Sequence, residues 1–552
     1  MDLGSNHLSG VLPTELGFMN KLTYLNLGNN KLVSVIPTEI GLLKSLIALD
    51  LQVNMMTGSL PTELGNLTQL RYLSIAASRF EGILPKELGN LKELITLNLY
   101  QNKLTGSLAT ELEHLTSLTH LDVSFNLFNI SISTEFGNLA QLVHFNAEDN
   151  SLTGSLPSEL GLLARLEYCS LYNNHITGTI PTEFGNLAQL SELNMYTNNL
   201  TGPIPTEFGR LTSLTHLDVA DNSVTNTIPT ELGNLVQLVS FSAYSIDLTG
   251  SLPSELGILT RLIVFSIYSN HITGTIPTEF GNLAQLSEFH AFTNNMTGPL
   301  PPELGRLTSL IYLAVANNSI TSTIPTELGN LPQLVSFFAS GNDLTGSLPS
   351  ELGLLTMLTV LSTQSNHINS TIPTELGNLA QLSEFDVFTN NITGPIPSEL
   401  GRLTNLTYLS MYNNQLTSGI PTELGHLAQL VSFYAYGNYL TGSLPSELGK
   451  LTLLMNLAVA ENIISGTIPT ELGNLAQLSE FHAFTNNMTG TLPSELGRLT
   501  NLTYLDLSVN MFNKTIPSEI GFISHLQLFN VSFNQLTGTV PLVLGLLHSL
   551  CK

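Results

Sequence analysis

Two short stretches put an acid beside an imidazole: Glu288-Phe289-His290 and Glu480-Phe481-His482. In an extended strand residues i and i+2 share a face, so each stretch presents a carboxylate next to a ring that carries a proton, the minimal kit of acid–base chemistry. A second group, His120, Asp122, His144 and Glu148, sets four metal-ligating side chains on what read as two adjacent strands. Metal binding needs three or four ligands that converge on one point, and acid–imidazole neighbours are ordinary on a polar sheet. No nucleophile–base–orienter set, phosphate-cradling glycine loop or zinc-type cysteine spacing accompanies either group. The expectation is a chain that is not an enzyme and holds no metal and no cofactor.

The aromatic residues make the stronger pattern. Tyr172, Tyr196, Tyr244, Tyr268, Phe292, Phe388, Tyr412, Tyr436 and Phe484 all fall at multiples of 24 from one another. Glu192, Glu288, Glu384 and Glu480 recur every 96 residues. Rings offer large contact area at low entropy cost, and they stack on sugars or anchor peptides. These nine rings, the four glutamates, His290 and His482 form the candidate ligand-binding set. The competing reading is that the rings pack on one another across strands and stiffen the sheet.

A 24-residue unit positions these groups. Its cleanest copy, residues 180–203, reads IPTEFGNLAQLSELNMYTNNLTGP. A copy 96 residues later, at 276–299, differs at five positions, four of them the consecutive residues 289–292. A fixed frame thus carries a varied strand. One slot of the unit is proline at 13, 37, 61 and 85, Ala109 and Ser133 next, then proline every 24 residues from 157 to 541, which makes 23 slots without an insertion. A fixed period of that length signals a solenoid, and with no linker in sight residues 1–552 read as one such domain. A longer period overlies it. GNLAQLSE begins at 185, 281, 377 and 473, and GRLT at 209, 305, 401 and 497, so residues 109–500 read as four tandem 96-residue blocks of four repeats.

Within each unit the Pro slot and TELG suit a short helical turn, with Pro in its first turn and Glu at its positive end. Apolar residues nine, twelve and fourteen positions after the Pro slot read as core, so positions eleven, thirteen and fifteen face away from it and form rows across a sheet. Position seventeen is Asn in 20 of 22 units, with Ser78 and Ile246 as exceptions. An Asn ladder between coils satisfies buried backbone groups, and Ile246 implies a local defect.

The frame also explains the net charge of −25. Glu stands two residues after the Pro slot in 22 of 23 units, from Glu15 to Glu519, with Val543 as the exception; setting those aside leaves 20 acidic residues against 17 basic. No basic stripe exists, which excludes nucleic acid as partner. Cys169 sits in a slot otherwise Leu or Phe and reads as a buried thiol; with Cys551 it makes no disulfide framework. No apolar run is long enough for a membrane span, and no leader is visible. Both ends stop in mid-unit without a polar cap, which suggests a segment of a longer chain.

The pattern LxxLxxLxLxxNxLTGxIPxELGNL, seen over residues 187–211, resembles the plant-type leucine-rich repeat. The resemblance implies an α/β architecture: a right-handed solenoid of about 23 repeats, with a parallel β-sheet on the concave face, short helical turns on the convex face and a second short strand near GxIP. Similar chains are extracellular regions of receptor-like kinases and receptor-like proteins, and secreted inhibitors of cell-wall enzymes. The function expected is an extracellular or cell-surface recognition module whose concave face binds a protein, peptide or glycan. One alternative is a building block of a cell-surface or matrix assembly. Another is ice or surface binding through ladders of threonines such as Thr177 and Thr179, which stand four and two residues before a Pro slot. Twelve Asn-x-Ser/Thr sequons, at Asn66, Asn129, Asn199, Asn295, Asn317, Asn369, Asn391, Asn405, Asn487, Asn501, Asn513 and Asn530, are glycan acceptors in a secreted protein.

Overall fold

Each 24-residue unit closes one coil, because its leucines can be buried only against the coils before and after it. Leu187, Leu190, Leu193, Met195, Leu200 and Ile204 are all at most 1% exposed. Burying one such side chain contributes about 1.5–3 kcal/mol. The computed structural model describes residues 1–108, 112–547 and 549–550; the frame positions Ala109 and Glu111, together with Cys551, lie outside them. The coils group into two units, Met1–Thr273 and Gly274–Lys552.

In the first unit eleven three-residue strands, from Tyr24–Asn26 to Val264–Ser266, form a parallel sheet. In the second, eleven more run from Glu288–His290 to Leu528–Asn530. Neighbours pair at an offset of 24, as in Tyr168↔Glu192 and Glu384↔Tyr408. Equivalent slots therefore align into rows running across the strands.

The helical turn is a five-residue 3-10 helix, for example Thr182–Asn186. Pro181 stands just ahead of it in extended conformation (φ −64°, ψ 135°), not in its first turn. Its carbonyl accepts the first turn bond, from Phe184 N–H at 3.2 Å. Glu183 occupies the first turn as expected. The glycine after it serves packing between coils. A Cβ on Gly377 would meet the Glu399 carbonyl oxygen at 2.5 Å, so coils approach here as closely as a bare backbone allows.

The Asn ladder is present. Asn414 Nδ2 donates to the carbonyls of Val387, Met411 and Tyr412 at 3.0–3.2 Å, and its Oδ1 accepts from Ile392 N–H at 3.0 Å. Ile246 cannot bridge in this way and packs instead as a core residue, 5% exposed. The bonding resumes at Asn270, which accepts from Leu248 N–H at 3.0 Å. At the other exception the Ser78 hydroxyl is buried and has no hydrogen-bond partner among the described residues.

The short strands near GxIP pair differently. Thr177–Thr179 lies beside Asn199–Pro203 with Thr177↔Asn199 and Thr179↔Thr201, an offset of 22. The register slides two residues per coil, so the expected straight threonine ladders do not form. A threonine two before one Pro slot faces a threonine four before the next, and Thr177 faces Asn199. Such strands associate in short sheets of two to four, as in the set from Thr57–Gly58 to Leu127–Phe128. Among the described residues no helix is long and apolar enough to cross a membrane.

Candidate ligand-binding face

The varied strand residues lie where the alternation places them. Phe385 and Val387 are fully buried in the core, while Glu384 and Phe388 are half-exposed on the opposite face. All nine candidate rings, the four glutamates, His290 and His482 are half-exposed. The rings stack. In the first unit Tyr172–Tyr196 and Tyr244–Tyr268 have centroids 4.4 and 4.5 Å apart, with planes within 10°. In the second, Phe388–Tyr412 and Tyr412–Tyr436 lie at 4.2 and 4.3 Å. Rings stacked along a row occupy one another's faces, leaving edges and hydroxyls for anything lying over the row. Burial, with Asp218 next in effect, pushes the Tyr244 hydroxyl up to about 12. Burial also raises Tyr172 and Tyr412. These phenols remain neutral hydrogen-bond donors at any working pH.

The row has gaps where the slot holds alanine. Around Ala316 in the second unit a cavity of about 360 Å³ opens, with His290, Phe292, Tyr312 and Phe338 as walls and Ala314 and Ala316 as floor. Almost all of its surface is carbon.

The acids differ from place to place. Glu288 and His290 are 3.2 Å apart, and Glu480 and His482 3.3 Å apart, as the spacing implied. Glu192 reaches His216 on the neighbouring strand at 4.0 Å. Where the motif reads Glu384-x-Asp386, the second carboxylate is only 5% exposed. Its Oδ1 has no hydrogen-bond partner among the described residues, and neither does the buried Ser410 Oγ on the paired strand. Burial pushes Asp386 up to about 7, against the Ser410 hydroxyl and the Phe388 N–H that face the carboxylate, while the Glu384 charge adds to the rise. Asp218 in the first unit is pushed up to about 6, again by burial, against the Ala220 N–H that donates to it at 3.0 Å.

His120, Asp122, His144 and Glu148 do not converge on a point. The His120 and His144 rings stack at 6.0 Å, and His144 stacks on Tyr168 at 4.2 Å. Glu148 accepts from Ser170 Oγ at 2.9 Å. Burial holds His144 below the usual imidazole range. Among the described residues no group of three or more His, Cys, Asp or Glu is placed to hold a metal ion. Cys169 is buried and free, its thiol pushed up to about 12 by burial. Eleven of the sequon asparagines are exposed and Asn530 is half-buried. Asn405 and Asn501 each spend Nδ2 on a carbonyl of the preceding coil, Ala380 and Ala476, at 2.9 Å.

Sequence reasoning missed the cavity and the buried Asp386. The available signal for the cavity was alanine at two outward slots of one strand at once.

Sequence profiles described as a leucine-rich repeat region match residues 2–144 and 393–516, and leucine-rich repeat profiles match 164–224, 261–283 and 309–331. No curated protein sequence matches the chain. Among solved structures, the plant peptide hormone receptor RGFR1 in complex with RGF2 is 34% identical, with 99% of this chain and 88% of that one covered and a TM-score of 0.95. A TDR receptor is 32% identical over 96% of this chain and 93% of that one, with a TM-score of 0.91. The Arabidopsis receptor kinase HAESA, in complex with the peptide hormone IDA and the co-receptor SERK1, is 29% identical over 98% of this chain and 87% of that one, with a TM-score of 0.84.

Proposed function

From the premise that this chain belongs to the leucine-rich repeat family, we propose that it is an extracellular, non-enzymatic recognition module that binds a peptide along the outward face of its parallel sheet. The observation that carries the reading is the row of half-exposed stacked rings on that face. Exposed aromatics interleaved with short polar groups have the character of a binding surface. A peptide fits better than a glycan because each stack covers its inner ring faces, leaving a sugar only the outer face of an end ring. The rings offer edges for apolar side chains and hydroxyls for peptide carbonyls. The likeness to plant receptors whose complexes hold the peptides RGF2 and IDA supports the same class of ligand.

The test is selection from a displayed library of random peptides, about twelve residues long so as to span several strands. Clones enriched on the native chain should lose binding to the triple variant Phe388→Ala, Tyr412→Ala and Tyr436→Ala, provided circular dichroism shows an intact fold. Absence of enrichment, or clones indifferent to the triple variant, refutes the reading.

A further inference from the structure

We propose, resting on that reading, that the second unit reads two side chains of one extended peptide: an apolar one in the cavity over Ala314 and Ala316, and a lysine or arginine against Glu384 and Asp386, about four residues away.

The apolar half follows from the cavity. At about 360 Å³ it lies at the small end of ligand sites and has room for one bulky apolar side chain. The positions 96 residues on show why it is open. Where this cavity has His290, Ala314 and Ala316, the next block has Asp386, Ser410 and Tyr412. Tyr412 stacks between Phe388 and Tyr436 and fills the space that Ala316 leaves. One frame thus builds an open apolar pocket in one block and an acidic niche in the next.

The basic half follows from the niche. Asp386 occupies an outward slot between the core residues Phe385 and Val387, yet it is 95% buried with one oxygen unpartnered beside the unpartnered Ser410 hydroxyl. A buried carboxylate oxygen lacking a donor is costly, and a ligand ammonium or guanidinium supplies one in charge-assisted form. Glu384, two residues before it and half-exposed, is the first contact for such a group. The outward slots of the second unit carry Glu288, Glu384, Asp386, Glu480 and Asp506 and no lysine or arginine, so the face selects a cationic partner. A hard metal ion fits poorly, since it demands six or more oxygen ligands.

The spacing follows from the sheet. The strand Tyr312–Ala314 is three pairings from Glu384–Asp386. At about 4.8 Å per strand and about 3.3 Å per residue of extended chain, that is about 14 Å, or about four residues.

The peptides selected on the native chain are the probes. They should share a large apolar residue and a lysine or arginine about four positions apart. Ala316→Tyr, which installs the residue Tyr412 supplies in the next block, should weaken the selected peptides about tenfold or more and make the apolar residue dispensable. Glu384→Gln with Asp386→Asn should do the same for the basic residue. Clones that need the stacked rings but lack the pair, or ignore both variants, overturn this proposal while the peptide-binding reading stands. Failure of any clone to enrich overturns both.

Discussion

Replacing Asp386 by Asn tests how the sheet face handles charge, with no ligand needed. The change is nearly isosteric and leaves the stacked rings of Phe388, Tyr412 and Tyr436 in place. In the folded chain burial lifts the carboxyl from 3.8 to about 7. A raised carboxylate binds its proton more tightly folded than unfolded, so between about pH 4 and 7 the folded state holds more protons. Stability from this group therefore falls as pH rises through that window. Below it both states are protonated and the group contributes nothing. The rise from 3.8 to about 7, at about 1.36 kcal/mol per tenfold change in proton affinity, gives about 4 kcal/mol lost above pH 7, and water reaching a side chain at a sheet face reduces this to about 2 kcal/mol. Urea unfolding of parent and variant, followed by circular dichroism from pH 4 to pH 8, isolates the effect as a difference. The variant should match the parent at pH 4 and exceed it by about 2 kcal/mol at pH 8. A pH-independent difference, or a variant less stable at pH 8, refutes the reasoning that burial of this carboxylate outweighs the groups that compensate it.

Further outcomes follow from the frame. Asn414→Ala strips amide bonds from three buried backbone groups and one half-buried one, and should cost about 3 kcal/mol in the same unfolding assay. Gly377→Ala drives a methyl into the Glu399 carbonyl, which the neighbouring coil cannot evade; the expected result is a lowered melting temperature and faster amide exchange in the two 3-10 turns concerned. Val509 has φ 53°, a left-handed conformation that β-branched side chains resist. Val509→Asn should therefore raise stability by about 1 kcal/mol, measured as a higher melting temperature; an unchanged or lower value refutes it.

The 24-residue frame was legible in the sequence because each coil of a solenoid touches only its neighbours, so structural requirements repeat at a fixed offset. Leu187, Leu193 and Asn198 could be assigned to core and ladder without coordinates, and the acid of Glu183 could be assigned to a turn. The rows of Glu192, Asn194 and Tyr196 followed from alternation alone. Offset and alternation say which residues are neighbours, but they do not fix cross-coil register, rotamer or access of water. Those three decided what the sequence left open. The register of the second sheet slides by two and breaks the threonine ladders at Thr177 and Thr179. The rotamers turn Tyr172 and Tyr196 face to face, and they stack His120 on His144 rather than aiming both at a metal. Asp386 and His290 hold the same slot of successive blocks, yet Asp386 is buried beside Ser410 while His290 borders an open cavity. Alanine at 314 and 316 against serine and tyrosine at 410 and 412 hinted at that difference, but side-chain packing in the folded chain decided how far the cavity opens.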